Sequence, residues 1–375
     1  MSRTERCLVI VSDQLEAPPR LGYHVHLLAL AGAVARHVPV RAFAWAVPSS
    51  AAPDHLRALD PAAAPAGRLA RKRHYVARVL EWMDAHAAPG SVIWVRGYSS
   101  ALLLAPQLRL ARNRGIASLY DAASFVRLEA RERGNPLLGA VRGFLEEQLW
   151  PHFDLVRTLS DPMRDYLVGR GVPRDKVVVF PVGCEPCAEQ WRPRGGPARL
   201  LYVGSGAAWQ GLPQLVEAMR QLEREAPGVS LSAVGVEPGA AGVGTVPGNV
   251  HFRGRVPHAE IGQLYLEHDL FVVPRPRTPL TDLVVPMKIP EAMAFGMPIL
   301  ATDLGAVRWM VGEGGAFLMP NNTPPSLARG IREALADPDR LAAAGERARE
   351  RSQRFAWERI GAEIAARLFP PRAAG

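Results

Sequence analysis

The stretch Phe271–Thr302, FVVPRPRTPLTDLVVPMKIPEAMAFGMPILAT, places two apolar runs on either side of a polar loop and a short helix. The runs Leu270–Val273 and Pro298–Ala301 predict buried parallel strands. Pro290 suits the first turn of a helix, where its missing N–H is harmless, and Gly296 predicts the end of that helix after about two turns. A strand, a charged loop and a helix N-terminus together predict a site for an anion.

Lys288 and Glu291 are the charged residues at the start of this predicted helix. Lys288 adds a full positive charge beside free N–H groups that attract phosphate. A carboxylate repels phosphate, so Glu291 predicts hydrogen bonds to sugar hydroxyls, as in ribose recognition. Only three of the 45 cationic residues are lysines, which hints that Lys288 supplies a specifically needed ammonium group. The other two, Lys72 and Lys176, are expected to be ordinary surface residues.

The chain of 375 residues is longer than one ordinary core, so we expect two domains. A hydrophobic content of 48% and a mean hydropathy of −0.01 predict a soluble globular protein. No apolar run approaches the ~20 residues of a membrane span, and the N-terminus has no signal-peptide pattern, so a cytoplasmic protein is expected. Cys184 and Cys187 form a lone CxxC, which favours incidental linker cysteines over zinc or redox chemistry.

The net charge of +9 is compatible with nucleic acid, an anionic membrane or acidic substrates as partners. Arginines are spread through both halves without interleaved aromatic residues, which argues against nucleic acid. The densest basic cluster lies on a predicted helix after the linker Pro61–Gly67 and contains Arg68, Arg71, Lys72, Arg73 and Arg78. A solvated helix face is the simpler interpretation, and peripheral contact of Arg68–Arg78 with an anionic membrane is the alternative.

The first half alternates strands with helices, which predicts a parallel sheet covered on both faces. The predicted strands are Cys7–Ser12, Val40–Ala46, Ser91–Val95, Ala117–Tyr120, Leu155–Leu159 and Lys176–Pro181. The predicted helices are at about Tyr23–His37, Leu69–His86, Ser100–Asn113, Leu138–Trp150 and Pro162–Gly169. Ser160 before Asp161 and Pro162 predicts the N-cap of the last one.

The segment Cys184–Ala198 has no periodicity and several helix breakers, which predicts a hinge. A second alternating unit follows, with strands at Arg199–Val203, Ser230–Val234, Val250–Phe252, Leu270–Val273, Pro298–Ala301 and Ala316–Leu318 and an amphipathic helix at Leu212–Arg224. We therefore predict an α/β chain of two doubly wound, Rossmann-like domains, residues 1–183 and 199–355, that face each other across a cleft. Three loops at strand ends are candidates for the site: Asp13–Gly22, Gly204–Gly211 and Pro274–Lys288.

The sequence resembles glycosyltransferase family 4, a group of retaining enzymes of the GT-B fold that use nucleotide sugars. The second half carries the match in LLYVGSGAAWQGLPQLVEAM (200–219), NVHFRGRVPHAEIGQLYLEHDLFVVP (249–274) and PMKIPEAMAFGMPILATDLGA (286–306). The first half is similar more loosely, in VIWVRGYSSALLL (92–104), SLYDAASF (118–125) and RTLSDPMRDYLVGRGVPRDKVVVFPVG (157–183). The resemblance implies an acceptor-side first domain, a nucleotide-sugar-binding second domain, and a last helix, in 356–375, that crosses back onto the first.

The donor-site motif of the family is altered in this chain. Glu291 is similar to the second glutamate of the family's E-x7-E motif, the one that holds the ribose of the nucleotide. The first glutamate, which in the family helps to hold the donor sugar, falls at Leu283. The adjacent Asp282 is a weak substitute, because it lies one residue away on a predicted loop.

The diphosphate site departs from the family as well. Members commonly have an arginine after the glycine that follows the first strand of the second domain, and a lysine five residues later. Here these positions are Ser205 and Gln210, in the predicted nucleotide-binding loop from Gly204 to Gly211. Charge-assisted hydrogen bonds from the opposite loop are expected to compensate, with Arg275, Arg277 and Lys288 as the donors.

In the first half, Gly22 lies where the family has a glycine loop near the phosphates and the acceptor, although an ordinary turn explains it equally. Asp121 lies at a strand end where family members often have a polar residue that faces the sugar, and a turn or N-cap is the alternative. Lys288, Arg275 and Asp121 are thus the predicted catalytic residues. Arg96 and Arg127 are weaker candidates for the acceptor side, and Trp209 is a stacking platform or a buried indole.

The resemblance implies retaining transfer of a sugar from a nucleoside diphosphate, UDP or GDP, to a hydroxyl of a glycan, lipid-linked or secondary-metabolite acceptor. The resemblance also implies that no metal is bound, and no further cofactor is expected. Catalysis would consist mainly of stabilising the charge that develops on the leaving phosphate and positioning the acceptor hydroxyl, and the phosphate itself would take the proton. Two alternatives remain: a degenerate binding subunit without catalysis, and an epimerase or pseudo-glycosyltransferase of the same fold. Asp337-Pro338-Asp339 matches a metal-binding DxD, but its place between two predicted helices favours a helix cap.

Overall fold

The computed structural model describes residues 5–17, 22–46, 53–237, 239 and 242–371. The chain forms two compact units, one of Met1–Gly183 with Trp357–Gly375 and the other of Cys184–Ala356. The part of the predicted Asp13–Gly22 loop at residues 18–21 lies outside the described residues.

The first unit is a parallel sheet with strand order β3-β2-β1-β4-β5-β6-β7. Its strands are β1 (Leu8–Glu16), β2 (Val40–Trp45), β3 (Leu56–Leu59), β4 (Val92–Arg96), β5 (Ala117–Asp121), β6 (Leu155–Thr158) and β7 (Val177–Val179). Its helices are α1 (Gly22–Ala35), α2 (Arg68–His86), α3 (Tyr98–Asn113), α4 (Val126–Glu132), α5 (Pro136–Leu149), α6 (Asp161–Gly169) and α14 (Trp357–Leu368).

Two elements of this unit escaped the sequence patterns. Strand β3 has four half-buried or exposed residues, and helix α4 has seven residues, so neither shows a full period of apolar positions. The predicted N-cap is confirmed, since the Ser160 hydroxyl accepts a hydrogen bond from the backbone N–H of Met163 at 3.4 Å. The apolar strands β1, β2 and β4 form the core of this unit with α1 and α14.

The last helix belongs to the first unit. Trp357, Ile360 and Ile364 of α14 are buried in the core against α1. Gly361 lets the two helices approach closely, because a Cβ atom there would lie 2.5 Å from the carbonyl oxygen of Ala33. Helix α14 therefore completes the core of the unit to which residues 1–183 also belong.

The second unit is also a parallel sheet, with strand order β10-β9-β8-β11-β12-β13. Its strands are β8 (Arg199–Val203), β9 (Ser230–Val234), β10 (Val250–Phe252), β11 (Leu270–Val273), β12 (Ile299–Thr302) and β13 (Phe317–Met319). Its helices are α7 (Leu212–Glu225), α8 (His258–Glu267), α9 (Pro279–Leu283), α10 (Ile289–Ala294), α11 (Gly305–Val311), α12 (Pro324–Leu335) and α13 (Pro338–Ser352). The two doubly wound, Rossmann-like sheets predicted from the sequence are thus confirmed.

The segment Pro274–Lys288, predicted as a loop, contains helix α9. Thr278 and Thr281 form a capping box at its start, in which each side chain bonds the backbone N–H of the other residue. The apolar pattern could not reveal a helix of five residues. This correction matters for Asp282 and Leu283, because both lie on a helix.

Each sheet reverses its strand order at one place, between β1 and β4 in the first unit and between β8 and β11 in the second. Ligands of open parallel sheets bind at such switch points, outside the carboxyl ends of the strands. The residues that follow β1, β4, β8 and β11 are therefore the first to consider as a site.

Candidate functional site

Arg275 is a buried cation that follows strand β11, and its side chain is 8% exposed. Its Nε donates to the side-chain oxygen of Gln210 at 3.2 Å, and its Nη1 donates to the carbonyl oxygen of Val284 at 3.0 Å. Both partners are neutral, and within the described part of the chain Arg275 forms no ion pair. Burial lowers the pKa of Arg275 to about 10, so the group is charged at neutral pH.

The loop between β8 and α7 packs against the residue before Arg275. Gly211 has a φ of 74°, and a Cβ atom there would lie 1.7 Å from the carbonyl oxygen of Pro274. Only glycine tolerates both the conformation and the contact. At the start of the loop, a Cβ atom on Gly204 would lie 2.6 Å from the hydroxyl of Tyr202, which donates to the carbonyl oxygen of Ser205. The predicted loop Gly204–Gly211 is therefore held tightly beside the start of the Pro274–Lys288 segment.

Lys288 and Glu291 form an ion pair at the start of α10. The Lys288 Nζ atom lies 2.9 Å from both carboxylate oxygens of Glu291, and the two side chains are 20% and 14% exposed. His258 Nε2 lies 3.4 Å from the same carboxylate. Burial raises the pKa of Tyr265, and the nearby Glu291 carboxylate raises it further. The two charges that the sequence assigns to phosphate and to ribose thus form an ion pair with each other.

Arg277 and Asp282 take part in local structure. Arg277 is exposed, bonds the carbonyl oxygen of Asp303 and lies 3.6 Å from Asp282 Oδ1. Asp282 Oδ1 also accepts a hydrogen bond of 2.8 Å from the backbone N–H of Gly305, the first residue of α11. Asp282 is therefore engaged on α9, which argues against it as a substitute for the glutamate replaced by Leu283.

Asp121 is buried and does not present a free carboxylate to a sugar. Its Oδ1 accepts from Nη1 of Arg157 at 2.8 Å and its Oδ2 from Nε1 of Trp94 at 3.1 Å, with Arg96 at 3.7 Å. Burial alone would raise the pKa of Asp121, but the guanidinium groups of Arg157 and Arg96 lower it. The side chain of Asp121 is 0% exposed and is engaged in the core, which favours a structural role over the predicted catalytic one.

Lys72 is paired, which corrects its prediction as an ordinary surface residue. Its Nζ lies 3.0 Å from Oδ2 of Asp13, a buried carboxylate that also accepts from the hydroxyls of Ser99 and Ser100. Asp13 lies in β1 beyond Val11, where the pairing with β2 becomes irregular. The two serines lie in the first turn of α3, which follows β4. This cluster therefore occupies the switch point of the first sheet. Sequence reasoning missed it because the partners are 59 to 87 residues apart; the scarcity of lysine was the available signal.

The remaining predicted residues of the first unit are less enclosed. Gly22 begins α1, and a Cβ atom there would meet nothing within 4 Å, so the position is open. His24 is buried in the first turn, and burial lowers its pKa. Arg96 lies over the ring of Tyr23 at 5.7 Å from its centroid. Arg127 makes a bidentate ion pair with Glu147 and so joins α4 to α5. This pairing argues against its predicted place on the acceptor side.

The Asp337-Pro338-Asp339 motif begins helix α13. Asp337 accepts a hydrogen bond of 2.9 Å from the backbone N–H of Arg340, which confirms the helix cap in place of a metal-binding DxD. Trp209 is half-buried in a short 3₁₀ turn, so it is not the fully buried indole that was one of its two interpretations. Across the described ranges, no three histidine, cysteine or carboxylate side chains cluster as a metal site.

Comparison with known sequences identifies both halves. Residues 9–183 match the family described as glycosyl transferase 4-like domain, and residues 187–351 match the family described as glycosyl transferases group 1. The chain is 29% identical over 284 residues to the glycogen synthase of Mycobacterium tuberculosis, which covers 67% of this chain and 64% of that protein. The chain thus spans less than two thirds of the length of the first curated relatives that it matches.

Solved structures share the fold over nearly the whole chain. The sucrose-phosphate synthase of Thermosynechococcus elongatus matches with a TM-score of 0.72 and 19% identity, over 97% of this chain and 98% of the other. Anabaena HepE in complex with UDP and glucose matches with a TM-score of 0.70 and 19% identity, over 98% and 100% of the two chains. The predicted GT-B fold is therefore confirmed. In the described ranges, none of the helices combines the length and the apolar character needed to span a bilayer.

Proposed function

The chain belongs to the group 1 glycosyl transferases with a glycosyl transferase 4-like first domain, and from this membership we propose that it transfers a glycosyl group from a nucleoside diphosphate sugar to a hydroxyl acceptor. The donor would be bound by the second unit, at the carboxyl ends of β8 and β11. The complex of Anabaena HepE with UDP and glucose, on the same fold, supports this class of donor.

The buried Arg275 guanidinium is the observation that carries the proposal. A charge this far from water is unfavourable unless a counter-ion compensates it, and both hydrogen-bond partners of Arg275 are neutral. A diphosphate would supply the missing negative charge. In a buried site, this attraction would be stronger than for a surface arginine, and it would grow as charge develops on the leaving group.

Lys288 and Glu291 complete the proposed donor site. On binding, the Glu291 carboxylate would accept hydrogen bonds from the ribose hydroxyls, and Lys288 would turn from that carboxylate toward a phosphate oxygen. The ion pair between them balances both charges. Gly204 and Gly211 would let the loop between them approach the nucleotide, while Gln210 orients Arg275.

In the proposed reaction, the bond between the anomeric carbon and the diphosphate oxygen breaks, and its electron pair stays on the phosphate. The acceptor hydroxyl attacks the anomeric carbon from the face that the phosphate leaves, so the configuration is retained, and its proton passes to the departing phosphate. Catalysis then consists of positioning the acceptor and stabilising the leaving charge, the latter through Arg275 and Lys288. Arg277 and Gly22 remain proposed contacts to the donor.

The acceptor is proposed as a glycan, a lipid-linked saccharide or a secondary-metabolite precursor, and the nucleotide as UDP or GDP, with no further cofactor. We propose that the protein works in the cytoplasm, at the inner face of the membrane when the acceptor is lipid-linked. The predicted contact through Arg68–Arg78 loses part of its basis, because Lys72 pairs with Asp13 and Arg71 lies 4.4 Å from the ring of Trp45.

A thermal-unfolding panel with UDP-, GDP-, ADP- and dTDP-sugars tests the donor site, since a ligand at a thousandfold excess over its dissociation constant stabilises by about 4 kcal/mol. We expect one nucleotide to raise the melting temperature of the wild type and of Arg329→Gln, a change of an exposed arginine on α12. Arg275→Gln should lose most of that rise. No rise with any nucleotide would contradict donor binding, and a rise without transfer would favour a binding subunit.

A further inference from the structure

Helix α5 presents its large apolar side chains to solvent, which is the reverse of an ordinary surface helix. The side chains recur every three or four residues and therefore lie on one face of the helix. We call this face the α5 stripe, and its members with their exposed fractions are Leu137 (84%), Leu138 (46%), Val141 (60%), Phe144 (55%) and Leu145 (39%).

The opposite face of α5 is packed closely against α4, so the stripe cannot turn inward. A Cβ atom on Gly139 would lie 2.7 Å from the Cβ of Ala130, and one on Gly143 would lie 2.5 Å from the Cβ of Arg127. Glu146, on the same inner face, accepts hydrogen bonds from the Tyr120 hydroxyl at 2.6 Å and from the backbone N–H of Val126 at 3.0 Å. Glycine packing and buried hydrogen bonds thus fix the rotation of the helix with the stripe outward.

The area of the stripe is that of an interaction site. Applied to side chains of about 150–200 Å² each, the exposed fractions leave roughly 500 Å² of apolar surface in contact with water. This is within the roughly 300–600 Å² of the largest apolar patch on a typical monomer, a size that often marks an interaction site.

Charges beside the stripe favour an anionic partner. Arg142 is exposed between Val141 and Gly143, and Arg131 is exposed in the last turn of α4, near the turn that leads into α5. Three of the four carboxylates in α4 and α5 are engaged: Glu147 with Arg127 and Arg170, Glu129 with Arg133, and Glu146 in buried hydrogen bonds, which leaves Glu132. The whole chain carries a net charge of +9.

We propose that the α5 stripe is a membrane-docking surface that inserts into the boundary between headgroups and acyl chains of an anionic bilayer. Aliphatic side chains and one phenylalanine on a helix that lies flat suit this depth, and Arg142 beside them can reach lipid phosphates. The docking surface is therefore on α5, and not on the basic cluster Arg68–Arg78 that the sequence suggested, where exposed apolar side chains are limited to Leu69.

Flotation with lipid vesicles tests this surface without any nucleotide sugar, so its outcome is independent of the proposed enzyme activity. The vesicles are phosphatidylcholine mixed with phosphatidylglycerol, and phosphatidylcholine alone. We expect the wild type to float with the anionic vesicles. The double variant Leu137→Ser with Phe144→Ser should bind these vesicles at least about tenfold more weakly. Arg142→Gln should weaken binding to the anionic vesicles and reduce its salt dependence.

The matched control is Leu69→Ser with Leu110→Ser, two leucines that are 56% and 60% exposed on α2 and α3. This control should float like the wild type, and all variants should keep the wild-type melting temperature. The proposal is overturned if the wild type does not float, if the control loses binding while the α5 variant keeps it, or if light scattering shows a dimer that the α5 variant alone dissociates.

Discussion

Gln210 and Arg275 are hydrogen-bonded partners on two different loops, with 3.2 Å between the amide oxygen and Nε of the buried guanidinium. The related family commonly has a lysine at the position of Gln210, and a lysine there would face Arg275 with a second positive charge. The glutamine and the buried arginine are therefore two parts of one arrangement, in which the buried cation comes from the segment that follows β11.

We expect Gln210→Lys to lower the free energy of unfolding by about 1–3 kcal/mol, because it removes an acceptor and adds a charge beside a buried one. The double change Gln210→Lys with Arg275→Gln should recover part of the stability and of the nucleotide-dependent rise in melting temperature. Thermal unfolding with and without UDP measures both. Gln214→Lys, on the exposed face of α7, is the control, and strictly additive effects of the two changes would contradict the coupling.

Lys288 and Glu291 should behave as a coupled pair. Either alanine variant leaves a half-buried charge without its partner, so a double-mutant cycle should give an interaction of about 1–2 kcal/mol in unfolding. In transfer assays, we expect Glu291→Ala chiefly to raise the dissociation constant of the nucleotide and Lys288→Ala chiefly to lower turnover. Wild-type kinetics in both variants would show that the donor does not bind here.

Gly211→Ala should be more damaging than an equal change at Gly171. Both glycines have a positive φ, 74° and 89°, but only Gly211 has a neighbour at its missing Cβ, the carbonyl oxygen of Pro274. Strain alone should cost about 1–2 kcal/mol at Gly171, whereas strain and contact together should exceed about 4 kcal/mol at Gly211. Denaturant unfolding measures both. Equal losses would mean that the loop moves away without penalty.

Glu146 should make stability depend on pH near neutrality. Burial raises the pKa of Glu146 from 4.5 to about 7, so the folded state holds a proton that the unfolded state releases. The stability from this proton is fully present below about pH 4.5 and is lost as pH rises through about 7, by about 3 kcal/mol at most.

We therefore expect the wild type to lose stability between pH 5 and about 8 more steeply than Glu146→Gln, which cannot ionise. Urea unfolding across this range measures the difference in slope. The exposed Glu333 provides the matched control, and Glu333→Gln should retain the wild-type slope. Parallel curves for wild type and Glu146→Gln would contradict the protonation of this carboxyl group.

Asp121→Asn separates a structural from a catalytic role. Loss of the buried carboxylate leaves Arg157 unpaired, and we expect the free energy of unfolding to fall by about 3–5 kcal/mol. Turnover per folded molecule should stay near that of the wild type, measured below the lowered melting temperature. A large loss of turnover in fully folded protein would return Asp121 to the active site.

Regular elements and the class of fold followed from the sequence, because apolar periodicity and glycine or proline punctuation are local properties. The six strands of the second sheet lie within one residue of their predicted positions, whereas β3, α4 and α9 are too short to show a period. The candidate site was also visible in part, since Arg275, Lys288 and Glu291 lie within one continuous segment.

What the sequence by itself determined is thus the alternation of strands and helices, the two domains and the charged segment after β11. Only the tertiary structure decided which charges are already matched: Asp121 with Arg157, Lys72 with Asp13, Lys288 with Glu291, and Arg275 with no carboxylate among the described residues. It also decided that α5 buries its glycines and exposes its leucines. The reason is that pairing and burial depend on distances between residues far apart in the chain, which no local pattern records.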